Sequence, residues 1–113
     1  MSSSGSPAGY LFADIESSTE RWERHPAHMQ IAVARLDSLI EDAVARHGGI
    51  IRDRAGDGLF ATFGTGNPLQ CALDLQLEVQ RNDWSDVGGL ALRIGVHAGD
   101  DNLAAVADGG LQF

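Results

Sequence analysis

Short apolar runs alternate along the chain with helical stripes. Tyr10-Leu-Phe-Ala-Asp-Ile15 is apolar and aromatic and is followed at once by helix-start chemistry, which predicts a buried strand ending near Asp14. Ser17-Ser-Thr-Glu20 fits a capping box, in which the Ser side chain accepts from a backbone N–H three residues on and the Glu answers back. His25-Pro26 interrupts the helix that starts there, because proline belongs in a first turn and disfavours helix in the residue before it. A second helix follows, with Met29, Val33, Leu36, Ile40 and Val44 on one face and His47-Gly48-Gly49 as its glycine stop.

Ile50 to Arg54 and Leu59 to Phe63 flank Gly56-Asp57-Gly58, a strong local signal for a β-hairpin with Asp57 at its tip. Asn67-Pro68 supplies an N-cap and a first-turn proline for a third helix through about Gln80, carrying Leu69, Ala72, Leu73 and Leu77. Leu90, Leu92, Ile94 and Val96 alternate with Ala91, Arg93, Gly95 and His97, as in a strand with one face in a core. After Gly99 the pattern fails. The order strand, helix pair, hairpin, helix, strand predicts an α+β fold: a ferredoxin-like β-α-β-β-α-β core with a split first helix and an antiparallel sheet. Residues 1–9 read as a flexible leader, 10–99 as one domain, and 100–113 as a tail of uncertain structure that resembles a truncation.

Composition narrows the picture. The chain has 113 residues, enough for one domain with a modest core. No stretch approaches the roughly 20 apolar residues that span a bilayer, and the start has neither the basic residues nor the apolar centre of a secretory signal, so the expected location is cytoplasmic, without a membrane. A net charge of −8 argues against a nucleic-acid partner, which clustered cations would hold. All eight basic residues are Arg, which excludes chemistry that needs a Walker lysine or a lysine Schiff base. Cys71, the single cysteine, sits in an apolar helical pattern and reads as a small core residue. His25, His28, His47 and His97 lack metal-ligand spacing and are assigned to caps, surface and strand. Trp22 and Trp84 read as packing anchors, and Glu16 as a solvated first-turn carboxylate.

Two carboxylates stand at special positions, Asp14 where the first strand meets its helix and Asp57 at the hairpin tip. In a ferredoxin-like sheet the first strand lies beside the hairpin, so these ends can converge. Two close carboxylates repel unless a cation or shared proton intervenes, and all-oxygen ligation suits Mg²⁺ or Mn²⁺. From spacing alone the alternative stays open that Asp57 only makes the turn and Asp14 only caps the helix. Residues Ile15 to Thr19 run from Asp14 into a helix N-terminus, where free N–H groups favour an anion, and the small Ser17, Ser18 and Thr19 let a phosphate approach closely.

Three segments, Leu11-Phe-Ala-Asp-Ile-Glu-Ser-Ser-Thr19, His47-Gly-Gly-Ile-Ile-Arg-Asp-Arg-Ala-Gly-Asp-Gly58 and Arg93-Ile-Gly-Val-His-Ala-Gly99, resemble in order and spacing the signature segments of class III adenylate/guanylate cyclase catalytic domains. The resemblance covers about Tyr10 to Gly99, the front part of such a domain. It implies that Asp14 and Asp57 hold two divalent ions, Mg or Mn, with the Ile15 carbonyl assisting, and that the backbone of Ser17, Ser18 and Thr19 binds a triphosphate. It implies conversion of ATP or GTP to a 3′,5′-cyclic nucleotide and pyrophosphate in intracellular signalling. Active sites of the family form between two catalytic domains, which implies a homodimer or a pairing with another cyclase domain.

Two departures qualify what the resemblance implies. Many members carry a Lys four residues before the hairpin Asp to read the purine; here that base-recognition position is Asp53, leaving ATP and GTP undecided. The family also places an Asn and an Arg on a later helix, and nothing in Asp100 to Phe113 matches them, so little or no turnover is expected of this chain alone. The alternative is a non-catalytic cyclase-like module that dimerises or regulates. A diguanylate-cyclase relative is disfavoured because no Glu follows Asp57, and a receiver domain because the chain has no Lys.

Overall fold

The computed structural model describes residues 9–55, 58–98, 102–107 and 110–112. The order is β1 (Gly9–Ile15), α1 (Ser18–Arg24), α2 (Pro26–Arg46), β2 (Gly49–Ala55), β3 (Gly58–Phe63), α3 (Pro68–Arg81), a single 3₁₀ turn (Ser85–Val87), β4 (Leu92–Ala98), β5 (Asn102–Ala107) and β6 (Gly110–Gln112). The strands form one sheet in the order β2-β3-β1-β4-β5-β6, antiparallel at every junction. Its first four strands and the helices between them are the expected ferredoxin-like β-α-β-β-α-β core with a split first helix.

Period-two alternation sorts the sheet into two faces. Leu11, Ala13 and Ile15 of β1, Leu59, Ala61 and Phe63 of β3, and Leu92, Ile94 and Val96 of β4 are buried together with Met29, Leu36, Ile40 and Val44 of α2 and Cys71, Leu75 and Val79 of α3. The other face carries Tyr10, Phe12, Asp14, Phe60, Thr62, Arg93 and His97, with Phe12 and Ile50 about half exposed. There the Tyr10 and Phe60 rings stack at 5.6 Å, and the Phe12 ring lies over Gly95, where a Cβ would meet it at 2.5 Å.

Several local expectations are met for the reasons given. Pro26 opens α2 one residue after α1 ends. Asn67 caps α3, its side chain accepting from the Gln70 N–H at 3.0 Å. Gly48 follows the C-cap His47 in the left-handed region, φ +78°. Burial at the Cys71 site raises its thiol to about 12, as expected of a core residue. Trp84 is a buried anchor whose Nε1 donates to the Val79 carbonyl at 2.7 Å.

Three expectations are corrected, and the core face of α3 is settled by packing. Ser17 occupies the N-cap of α1, but with φ +54° and no side-chain cap bond, so the capping box does not form. A cap serine needs extended backbone to aim its hydroxyl at the first-turn N–H groups, and the left-handed turn forbids it. Gly9, read as leader, belongs to β1, where it pairs with Phe63 and Ala98. The tail that carried no readable pattern contains β5 and β6, because pairing to the free edge of β4 supplies backbone bonds that need no side-chain periodicity. The core face of α3 runs through Pro68, Cys71, Ala72, Leu75, Gln76 and Val79, leaving Leu69 and Leu73 on its flank and Leu77 exposed.

Candidate functional site

β1 is the central element of the site. It pairs with β3 on one side and β4 on the other, Ala13 facing Leu59 across one ladder and Asp14 facing Arg93 across the other. Continuing the first register by one step sets Asp14 level with Gly58, the first residue of β3. Ala55 pairs with Gly58 at the end of the hairpin, so Gly56 and Asp57 connect β2 to β3. Asp57, the second carboxylate expected at the site, lies outside the described residues.

The chain turns sharply after Asp14. Ile15 ends β1, Glu16 and Ser17 form the turn, and α1 begins at Ser18. Asp14, Ile15, Ser17, Ser18, Thr19, Gly58 and Arg93 line one open cavity of about 380 Å³. Five of the seven residues that sequence reasoning selected therefore share one cavity, with the hairpin end forming part of its wall. Asp53, the sixth, is exposed on the edge strand β2, just past a bulge between Ile51 and Asp53, and does not line it.

Sequence reasoning missed two arginines. Arg93 donates from Nε to Asp14 Oδ1 at 3.0 Å and from Nη2 to Asp14 Oδ2 at 2.9 Å, a bidentate fork across the β1–β4 ladder. The carboxylate raises the Arg93 pKa further above its ordinary value, keeping the cation in the cavity. Arg21, one turn into α1, donates from Nη1 to the Glu16 carbonyl at 2.8 Å and from Nε to the Gly89 carbonyl at 2.6 Å. The first contact needed a strand register and the second a loop position, neither of which residue spacing encodes. Glu16, read as a solvated first-turn carboxylate, sits in the turn itself, its N–H donating to the Ala91 carbonyl at 2.9 Å.

The donors present fit a hard divalent cation. The Asp14 carboxylate is open to solvent, and each of its oxygens keeps a lone pair after Arg93 has taken one, so it could hold such an ion. Among the described residues no three His, Cys, Asp or Glu side chains converge as a metal site. Elsewhere, His47 at the end of α2 pairs with Asp74 of α3 at 2.7 Å, a contact the sequence did not announce. That hydrogen bond holds the Asp74 carboxyl below its ordinary pKa.

A receptor-type adenylate cyclase of Trypanosoma congolense is 37% identical over 82 residues, 72% of this chain and 11% of the relative. An uncharacterized protein of Mycobacterium tuberculosis is 35% identical over 96 residues, 82% of this chain and 31% of the relative. A solved adenylate cyclase of Trypanosoma brucei, described in its monomeric state, superposes with a TM-score of 0.74 at 25% identity, covering 88% of this chain and 59% of that one. The guanylate cyclase domain from Catenaria anguillulae, solved with GTP, shares the fold with a TM-score of 0.69 at 19% identity, over 88% of this chain and 64% of that one. No family model matches the chain. The chain belongs to the class III adenylate/guanylate cyclase catalytic domains, and it spans about a third or less of the length of the curated relatives it matches.

Proposed function

We propose that this chain supplies the metal- and triphosphate-binding half of a nucleotide cyclase site. The ribose 3′-hydroxyl of ATP or GTP attacks the α-phosphate of the same nucleotide, the bond to the β-phosphate breaks, and a 3′,5′-cyclic nucleotide and pyrophosphate leave. The observation that carries this reading is the cavity in which the Asp14 carboxylate, the Ser17 to Thr19 turn, the hairpin end at Gly58 and the Arg93 guanidinium meet. Mg or Mn ions, two in number, would be held by Asp14, the Ile15 carbonyl and Asp57. When bound, such ions neutralise the polyphosphate and ease loss of the 3′-hydroxyl proton.

In this reading the side chains divide the work. Asp14 supplies anionic oxygens at the end of β1. The backbone of Ser17, Ser18 and Thr19 cradles phosphate oxygens, with side chains small enough to allow close approach. Arg93 keeps Asp14 in place through its fork and adds the positive charge a triphosphate needs. Asp53 stands at the base-recognition position, where a carboxylate accepts from a purine N–H. The remaining contacts to base and ribose come from a second catalytic domain, a homodimer mate or another cyclase domain, and the setting is cytoplasmic signalling. No helix among the described residues is long and apolar enough to cross a membrane.

The open sheet face favours a second reading as well. Phe12 and Ile50, large and half exposed, are what a docking or regulatory module without turnover would also present. Calorimetric titration with Mn²⁺ and non-cyclisable ATP and GTP analogues separates the two. Under the cyclase reading one analogue binds, and the Asp14→Ala, Asp57→Ala double variant loses at least about tenfold in affinity. Absence of binding at millimolar nucleotide selects the non-catalytic module.

A further inference from the structure

Ser17 is the one residue other than glycine with positive φ among the described residues, and it lies on the cavity wall. A left-handed serine costs roughly 1 kcal/mol or more and persists only where its surroundings over-determine it. Its own hydroxyl makes no cap bond, so the restraint comes from elsewhere.

Arg21 provides it. Its Nη1 donates to the Glu16 carbonyl at 2.8 Å, beside the Ser17 carbonyl, which accepts the ordinary first-turn helix bond from the Arg21 backbone N–H at 3.2 Å. Its Nε then reaches the Gly89 carbonyl at 2.6 Å, tying the turn to the loop before β4. That loop is itself fixed. The Gly89 N–H donates to the Trp84 carbonyl at 2.9 Å, and Gly88 and Gly89 both hold positive φ, 74° and 89°. Trp84 is buried, bonded to Val79, and covered by the Arg35 guanidinium 5.4 Å from its ring centre. A second tie, from the Glu16 N–H to the Ala91 carbonyl, runs parallel to the first.

We propose that Arg21 is a positioning residue for the phosphate-facing turn: its guanidinium fork ties the Glu16 carbonyl to the Gly89 carbonyl of the loop before β4 and so sets where the adjoining Ser17 to Thr19 backbone meets a polyphosphate. The inference rests on the cyclase reading of the cavity. Arg21 itself does not line that cavity, and its guanidinium is committed to two carbonyls. A planar fork can serve two carbonyls in fixed directions, whereas a lysine of equal charge cannot.

The test is calorimetric titration of the chain with inorganic tripolyphosphate in Mn²⁺, using wild type, Arg21→Lys, Arg21→Met and Gly89→Ala, with amide hydrogen exchange at Glu16. Gly89→Ala disturbs the φ of the anchoring carbonyl without altering charge or touching the cavity. The expected result is a loss of about tenfold in affinity for both Arg21 variants and a smaller loss for Gly89→Ala. Faster exchange at Glu16 should accompany it, with amides of the α2 core unchanged. Wild-type affinity in Arg21→Lys, with loss only in Arg21→Met, means that charge alone matters and overturns the proposal. Unchanged affinity in all three variants overturns it too. If Arg21→Lys does not fold, Gly89→Ala decides, and unchanged binding and Glu16 exchange there overturn the proposal. Failure of the wild type to bind removes the cyclase reading and this inference with it.

Discussion

The backbone turns left-handed at Ser17 and again at Gly48, and the two turns are built in opposite ways. At Gly48, φ is +78° where α2 hands over to β2, and the residue is the one type that takes this conformation without steric cost. The close approach of the Gly66 backbone, 3.2 Å from where a Cβ would stand, makes glycine doubly necessary. At Ser17, φ is +54° in a residue that pays for a Cβ, and the turn is held by Arg21 and Ala91 rather than by residue choice. Gly48 serves the fold; the strain at Ser17 lies on the wall of the candidate site. Strain confined to a cavity wall and fixed by distant hydrogen bonds is a pattern of pre-organisation.

A reciprocal exchange should break the comparison if it is wrong. Gly48→Ala is expected to cost about 1–2 kcal/mol in urea unfolding, because strain and the contact with Gly66 add. Ser17→Gly is expected to leave stability within about 0.5 kcal/mol of wild type, relief of strain offsetting the added entropy of the unfolded chain. Equal losses at the two positions would remove the distinction.

A smaller effect belongs to the His47–Asp74 contact beside the Gly48 turn. The Asp74 carboxyl is held below its ordinary pKa by the His47 hydrogen bond, so its contribution is present above the ordinary carboxylate range, near pH 4, and is lost as pH falls through the lowered value. Unfolding curves from pH 6 to pH 2 should therefore show Asp74→Asn with a shallower acid loss than wild type. Parallel curves would assign that loss to other carboxylates.

How much could be read from the residues follows the same division. The Asn67-Pro68 start, the Pro26 break, the Gly48 stop and the hairpin are local chemistry, and each stands where its residues predicted. The α3 core face was not legible, because Leu69, Leu73 and Leu77 satisfy helical spacing as well as Cys71, Leu75 and Val79 do, and only packing against the sheet chooses between them. Asp14 and the Ser17 to Thr19 segment were legible as a strand-end carboxylate beside small residues. The Asp14–Arg93 fork was not, since it is 79 residues apart in sequence and depends on the β1–β4 register. The left-handed Ser17 was hidden by a capping-box spacing that its backbone cannot use.

The central claim is that a divalent cation and a triphosphate meet at the end of β1. The most direct measurement is paramagnetic broadening of backbone amide signals by Mn²⁺ in the presence of a non-cyclisable nucleoside triphosphate. The account predicts that amides of Ile15, Ser17, Ser18, Thr19 and Gly58 broaden first, while those of His47, Gly48 and Asp74 stay sharp. Broadening centred on His47 and Asp74, or none at saturating ligand, would contradict it.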